Sequence, residues 1–248
     1  MPDSTIEIIE CNDWDDFKVK LRERIYRDST FVESQFLYRG QSNPNYKLAS
    51  SFDRWYKGKR EKRPAVAQEL LRVFRRECEA DPDVEREIFS DDDRLRALAQ
   101  HCGLPTRLLD WTISPYIAAF FALSYTFSED VILEDNVAVW VLDPSSAIWS
   151  EDNGAYVIDP KKFGNERLQN QGGYFTHLAG AFDCLEDYVQ NFSEPDVLRK
   201  MVIPTKDITH AISDLRAMQI KHARLFPGVE GYAMEAKTRI GIEKQVKS

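Results

Sequence analysis

The sequence predicts one α+β domain. Segments with the alternating or continuous apolar pattern of β-strands are interspersed with segments in which apolar residues recur every three to four positions, as in amphipathic helices. The chain has 248 residues, of which 43% are hydrophobic, and this is enough for a substantial core. It contains no internal repeat, no low-complexity segment and no evident linker. These features favour a single domain over two smaller ones.

The elements are predicted in chain order as follows. A strand over residues 5–11 precedes a helix over residues 13–26, which Asn12 or Asp13 caps. Residues 34–41 contain a second strand that ends at Gly40, and residues 42–64 are polar, turn-rich and basic, which indicates a loop. Further helices are predicted at 65–80, 94–103, from Pro115 onward, at 207–220 and after a turn at Pro227 and Gly228. Further strands are predicted at 136–144, around 174–178, at 198–204 and from about residue 222.

The composition argues against several classes of protein. The formal net charge is −8, from 33 basic and 41 acidic residues, which argues against a general surface for nucleic acid or anionic membrane. No segment approaches about 20 continuous apolar residues, and the N-terminus lacks a secretory signal pattern. The four cysteines and four histidines show no ligand spacing. We therefore expect a cytoplasmic protein with reduced thiols, no membrane segment and no bound metal.

The strand FLYRGQ places an arginine beside a glycine where the strand ends. Strand alternation puts Phe36 and Tyr38 on one face and Leu37 and Arg39 on the other. The guanidinium fork suits a phosphate or carboxylate, and Gly40 would let a ligand approach the backbone closely. The alternative is an arginine that pairs with a nearby acid beside a turn.

The segment HCGLPTRLLDWTISPYIAAFFALS joins a polar cluster to an apolar helix. Ser114 and Pro115 are a strong helix start, and the helix is apolar on nearly all sides, so we expect it to be buried. A buried helix N-terminus has unsatisfied N–H groups and a partial positive charge, and it commonly faces an anion. Two interpretations remain open at this stage. Either Arg107 pairs with Asp110 in a structural plug, or Arg107, Arg39 and the helix end converge on a phosphate-bearing ligand.

A third cluster lies in RLQNQGGYFTHL. Gln171 precedes two glycines, at a point where the backbone can bend sharply. Tyr174 and Phe175 would stack on the ring of a ligand or pack in the core. His177 is a candidate acid or base near neutral pH, although a histidine beside aromatic residues is more often a core residue.

Four motifs in this sequence resemble those of the FRG domain in order and character: FLYRGQ, HCGLPTRLLDWTISPYIAAFFAL, RLQNQGGYFTH and LFPGVEGYAMEA. The resemblance spans residues 36–236, so that residues 1–35 would be a lead-in to the same domain and residues 237–248 a C-terminal tail. This family is known largely from uncharacterised bacterial and phage-associated proteins. The resemblance therefore implies an effector, such as a toxin or an anti-phage defence protein.

The same motifs are similar, more distantly, to those of ADP-ribosyltransferases. Tyr38-Arg39-Gly40 looks like the strand whose arginine holds the NAD phosphates, and DWTISPYIAAFFA looks like the hydroxyl-rich strand that leads into a helix. The resemblance implies a mixed, partly split β-sheet flanked by helices, with a nucleotide cleft. The glutamate that orients the nicotinamide ribose in those enzymes would fall near Gln171, where no glutamate stands. A glutamine can hydrogen-bond a ribose hydroxyl, but it cannot stabilise an oxocarbenium ion by charge.

The resemblance also implies a cofactor and a set of site residues. NAD is the expected cofactor, a nucleotide-like small molecule the expected ligand, and a protein or nucleic acid the expected acceptor. An enzyme of this kind would be an NAD-dependent ADP-ribosyltransferase or NAD glycohydrolase, with Arg39, Gln171 and His177 as catalytic residues. The expected binding residues are Tyr38, Arg39, Gly40, Gln41, His101, Thr106, Arg107, Asp110, Trp111, Thr112, Ser114, Tyr174 and Phe175.

Two other functions are compatible with the sequence. The first is a non-enzymatic module that senses a nucleotide or a partner, which the missing glutamate favours. The second is nucleic-acid binding through the basic stretch RWYKGKREKR, residues 54–63, whose aromatic side chains and six positive charges suit contacts with bases and phosphates. The acidic net charge weighs against it, since charge runs are usually solvated faces.

Overall fold

A computed structural model describes residues 6–124, 134–159, 172–192 and 194–246, with side chains up to residue 242. The described strands are β1 Glu7–Glu10, β2 Leu37–Gln41, β3 Leu108–Thr112, β4 Asn136–Leu142, β5 Ala155–Ile158, β6 Gly173–Leu178 and β7 Leu198–Pro204. They form one sheet in the order β1-β7-β4-β2-β3-β6-β5. The β1–β7 pair is parallel and the other pairs are antiparallel, which confirms the α+β class with a mixed sheet.

Helices flank this sheet on both faces. Those of the described residues are α1 Trp14–Lys20, α2 Ser51–Trp55, α3 Arg63–Ala80, α4 Asp92–His101, α5 Pro115–Ser124, α6 Leu185–Val189, α7 Ile208–Ala217, α8 His222–Leu225 and α9 Val229–Val246. α1 continues as a π-helical turn over Leu21–Ile25, so the predicted helix over 13–26 is confirmed. Within the described ranges, no helix combines the length and the apolar character that a bilayer crossing requires.

The sheet opens between β2 and β3. These strands pair at a single position, Tyr38 with Thr112, whereas β2 pairs with β4 at five positions and β3 with β6 at five. Because the strands are antiparallel, the unpaired end of β2 faces the unpaired start of β3. The sheet is therefore partly split, into a four-stranded half that ends at β2 and a three-stranded half that begins at β3.

α5 packs against the four-stranded half and fixes the identity of Gly40. A Cβ atom at Gly40 would lie 1.9 Å from the carbonyl oxygen of Ala118 and 2.8 Å from the backbone nitrogen of Ala122. α5 is apolar and largely buried, as predicted, and packs in one core with α1, α7 and the inward side chains Tyr38, Val139 and Met201. The glycine thus serves helix packing, and it is not among the residues that line the cleft between β2 and β3, so close approach of a ligand to its backbone stays a prediction.

Several short elements were not predicted. The predicted loop over 42–64 contains α2, whose N-cap Ser50 accepts a hydrogen bond from the Asp53 N–H. β5 and α6 have four or five residues each, too few for a periodic pattern to develop. β3 is as short, and it was expected only from the resemblance to the hydroxyl-rich strand of ADP-ribosyltransferases. The strand predicted from about residue 222 is wrong, because His222–Leu225 forms the one-turn helix α8.

Candidate functional site

A cleft of about 220 Å³ opens where β2 and β3 separate. The polar side chains that line it come from four different elements: Arg39 from β2, Ser51 and Arg54 from α2, Gln100 from α4, and Asp110 from β3. The remaining wall is formed by Gly103, Leu104, Leu108 and Leu109. The split in the sheet therefore brings two arginines and one carboxylate to a common opening.

Arg39 reaches across the split to β3. Its Nη1 donates a hydrogen bond to the backbone oxygen of Asp110 at 2.7 Å and lies 3.7 Å from the Oδ2 atom of that residue. Its Nε is buried and has no hydrogen-bond partner in the described part of the chain. Burial lowers the pKa of Arg39, the Asp110 carboxylate raises it, and the neighbouring Arg54 lowers it further. The side chain is 22% exposed, so an anion in the cleft can contact it.

Arg54 and Ser51 are brought to the cleft by α2. Arg54 Nη1 donates to the carbonyl of Ala49 at 2.5 Å, and the residue is exposed. Ser51 Oγ accepts a hydrogen bond from the Thr106 N–H at 3.1 Å and lies 3.2 Å from the Thr106 carbonyl. Sequence reasoning missed both residues as site candidates. Arg54 is the first residue of the basic stretch, and this was the one feature of the sequence that pointed to it.

Asp110 is held by α4. Gln100 Nε2 donates to Asp110 Oδ1 at 2.7 Å, and Thr106 Oγ1 donates to Gln100 Oε1 at 2.7 Å, so the Thr106 hydroxyl fixes the orientation of the Gln100 amide. The Asp110 side chain remains 62% exposed. Thr106 thus supports the cleft without lining it. Asp110 pairs with Arg39, so the predicted pair of Arg107 with Asp110 is wrong.

Arg107 belongs to a buried network beside α2. Its Nε lies 3.2 Å from Asp53 Oδ1, its Nη2 donates to the carbonyl of Phe182 at 2.7 Å, and its Nη1 donates to the carbonyl of Gly180. Asp53, whose side chain is fully buried, also lies 3.2 Å from Arg63. Burial lowers the pKa of Arg107, and Asp53 opposes this change. Arg107 does not line the cleft and instead anchors α2, the helix that carries Ser51 and Arg54.

The N-terminus of α5 is capped by its own neighbours. Ser114 Oγ accepts a hydrogen bond from the Ile117 N–H at 3.3 Å, and Thr112 Oγ1 accepts one from the Ser114 N–H at 3.2 Å. The Ala118 N–H bonds to the Ser114 carbonyl, and Pro115 has no N–H. The predicted cap is confirmed. Neither this helix end nor Arg107 is among the groups that line the cleft, so the predicted convergence with Arg39 is not found there.

Four further predicted binding residues do not line the cleft. Tyr38, Trp111 and Phe175 are buried in the core, which leaves their rings unavailable for stacking on a ligand. The Trp111 indole N–H donates to the Thr176 hydroxyl at 3.0 Å. Gln41 accepts a hydrogen bond from the Trp140 indole at 2.7 Å and donates to the Lys47 carbonyl, and in this way it holds the loop after β2.

The other predicted residues that the structure describes are not among those that line the cleft. His177 packs edge-to-face on Tyr156, with ring centroids 5.2 Å apart, and burial lowers its pKa to about 3, so that it is neutral at physiological pH. His101 is exposed at the end of α4, and the Tyr174 hydroxyl lies 3.3 Å from Asp159 Oδ2. Gln171, predicted as catalytic, lies outside the described residues.

One group of side chains in the described ranges has the spacing of metal ligands: Asp15, His210 and Asp214, whose ligand atoms lie within 4.8 Å of one another. The ammonium of Lys18 lies 2.7 Å from a carboxylate oxygen of each aspartate. A lysine therefore already supplies positive charge to this surface group, which gives no support for a metal site.

The residues that match a family model include the segment that forms the cleft. The family model of the FRG domain matches residues 34–131, the first part of the predicted span of 36–236. Neither the curated proteins nor the solved structures contain a match to this chain. All nine residues that line the cleft lie between residues 39 and 110. Residues 34–131 therefore resemble the FRG domain, and every residue that lines the cleft lies in this matched segment.

Proposed function

We propose that the cleft between β2 and β3 binds the phosphate group of a nucleotide, with NAD as the ligand that the distant resemblance to ADP-ribosyltransferases implies. The observation that carries this proposal is the position of Arg39 and Arg54, which come from separate elements and line one opening with the single carboxylate of Asp110. A pair of arginines around a concave, partly apolar site is a common arrangement for phosphate recognition.

The charges in the cleft favour an anion. Arg39 and Arg54 contribute two positive charges and Asp110 one negative charge, which leaves a net positive site in a chain whose formal charge is −8. Each guanidinium carries five N–H donors, and the hydrogen bonds found at these two residues involve Nη1 alone in the described part of the chain. Both side chains therefore retain donors for phosphate oxygens.

The size of the cleft limits how a ligand would fit. Its volume of about 220 Å³ lies below the roughly 300–1,000 Å³ typical of pockets that enclose a drug-sized ligand. We therefore propose that the cleft accepts a phosphate with its adjoining ribose and that the rest of a dinucleotide lies across the mouth. Leu104, the most exposed of the three leucines that line the cleft, would contact the sugar.

Asp110 gives the cleft a group that could support glycosidic chemistry. In this proposal its carboxylate accepts a hydrogen bond from a ribose hydroxyl and stabilises positive charge on the ribose as the bond to nicotinamide breaks, with the bonding electrons leaving on nicotinamide. Water or an acceptor nucleophile then bonds to the anomeric carbon and loses a proton. Asp110 would thus supply the charge that the missing glutamate supplies in ADP-ribosyltransferases. Hydrolysis by water and transfer to an acceptor would each suit an FRG-domain toxin or anti-phage effector.

A non-enzymatic nucleotide sensor is the second candidate. It is favoured by the contacts of Asp110, whose two carboxylate oxygens already face Gln100 and Arg39. Nicotinamide release separates the two candidates, because a sensor binds the nucleotide without cleaving it.

Calorimetric titration of NAD and ADP-ribose tests the binding proposal. We expect Arg39→Ala and Arg54→Ala each to weaken binding about 10- to 150-fold, as expected for losing a hydrogen bond to a charged group worth roughly 1.5–3 kcal/mol. Arg76→Ala is the matched control, since that arginine is 65% exposed on α3 and does not line the cleft. Absence of heat at millimolar nucleotide with the wild type, or equal losses in the control, would contradict the proposal.

A further inference from the structure

We propose that residues 54–63, the basic stretch, form a docking surface for single-stranded nucleic acid that begins at the cleft. The stretch starts with Arg54, which lines the cleft, and continues over the exposed residues 57–62 to the start of α3. This inference goes beyond nucleotide binding in the cleft, and it does not depend on that binding.

Three lysines of the basic stretch are free to meet phosphates. Lys57, Lys59 and Lys62 are exposed, and none of them has an ion-pair partner in the part of the chain that the structure describes. Several other basic side chains on the surface do have carboxylate partners, as Lys20 has in Asp16 at 2.7 Å. Three unpaired lysines within six residues make a local positive charge that the fold does not neutralise.

Trp55 supplies an exposed aromatic surface beside these charges. It follows Arg54 in α2 and is 53% exposed. Its ring lies 5.9 Å from the ring of the buried Phe52, tilted by 52°, so one side of the indole is supported by the core. An indole held in this way can stack on a nucleobase with little loss of side-chain entropy.

The two arginines at the end of the basic stretch hold it in place. Arg63 lies 3.2 Å from Asp53 and 2.9 Å from Asp183, and Arg60 donates to the carbonyl of Ala181 at 2.6 Å. The Arg60 guanidinium also lies 5.7 Å from the centre of the Phe182 ring. Arg60 and Arg63 anchor the segment, while Trp55 and the three lysines extend from it. The surface is therefore preorganised, which lowers the entropic cost of binding.

The chemistry of the basic stretch selects its occupant. It carries six basic residues and one acid, Glu61, in a chain that is acidic as a whole. A polyanion matches the lysines, and a flat π-surface on each unit matches Trp55, a combination that single-stranded DNA or RNA provides. A duplex hides the faces of its bases, and an acidic peptide offers charge without stacking.

Fluorescence anisotropy with a labelled oligothymidine tests the contribution of the lysines. The triple variant Lys57→Ala/Lys59→Ala/Lys62→Ala should reduce the slope of log K against log salt by about 2, at roughly 0.7 per phosphate contact. The control triple variant removes the same charge from Lys206, Lys221 and Lys237, which lie on or beside α7 to α9, and should leave the slope unchanged.

Trp55→Ala tests stacking. We expect oligothymidine binding about 5- to 150-fold weaker, from roughly 1–3 kcal/mol per stacked base, whereas Tyr232→Ala, which removes a ring that is 59% exposed on α9, should have no effect. Poly-glutamate serves as the competing polyanion. Absence of oligonucleotide binding at low salt, or equally tight poly-glutamate binding that is insensitive to Trp55→Ala, would overturn the inference. Oligonucleotide binding in a protein that binds no NAD would support it and overturn only the nucleotide proposal.

Discussion

Replacing Arg107 by methionine separates a structural role from a ligand-binding role for the central motif of the sequence. Methionine keeps much of the volume and removes the charge and all donors. The carbonyls of Gly180 and Phe182 then lose their donor, and Asp53 keeps Arg63 and the Ser50 hydroxyl as partners. Removing one partner of a buried ion pair costs about 3–5 kcal/mol, and Arg107 is 1% exposed, so we expect a loss near that range.

Urea denaturation followed by tryptophan fluorescence measures this loss. Arg76→Met is the control, since Arg76 is 65% exposed, and we expect it to change the free energy of unfolding by less than about 0.5 kcal/mol. Arg107→Lys should recover only part of the loss, because one ammonium cannot reproduce the fork that reaches Asp53, Gly180 and Phe182. A loss below about 1 kcal/mol for Arg107→Met, with nucleotide binding abolished in the folded variant, would refute the structural role.

Three further predictions concern stability. Gly40→Ala should destabilise the fold by at least about 1–3 kcal/mol in urea denaturation, because its Cβ would meet the backbone of α5. The control Gly103→Ala meets no atom within 4 Å and should cost about 1 kcal/mol from its φ of +87°. Equal losses for the two variants would contradict this prediction. Ser114→Ala should lower the free energy of unfolding by about 1 kcal/mol through loss of the α5 cap, without changing the affinity for NAD. A changed affinity in calorimetry would show that the helix end contributes to the binding site. Burial lowers the pKa of His177 from 6.5 to about 3, so the unfolded chain binds a proton there that the native chain does not. This residue should therefore lower stability as pH falls from about 6.5 toward 3, by up to about 1.4 kcal/mol per pH unit. His177→Gln should flatten that dependence between pH 7 and 5, and an unchanged slope would contradict the assignment.

The sequence pattern predicted the long elements because burial leaves a period in the residues. The apolar run of β4, the capped start of α5 and the alternation of β1 all appear as expected. The prediction of a strand from about residue 222 was wrong, because four residues with two apolar side chains fit a strand or one helical turn equally well. Tertiary contacts decide such cases.

The candidate site was predicted less completely, because its residues meet only through the split in the sheet. Arg39 and Asp110 were both expected in a site, and both line the cleft. Gln100 was not expected, since a glutamine near the end of an amphipathic helix carries no signal of its own. Arg107 was predicted to be a phosphate ligand because nothing in the sequence indicates its partner, the buried carboxylate of Asp53, which lies 54 positions earlier in the chain.

The most direct test of the central claim is the crystal structure of this protein soaked with ADP-ribose. We predict density for a phosphate between the guanidinium groups of Arg39 and Arg54, with the adjoining ribose against Leu104 and within hydrogen-bond distance of Asp110. Density at the N-terminus of α5 instead, or a cleft without ligand at a concentration that gives calorimetric binding, would contradict the account.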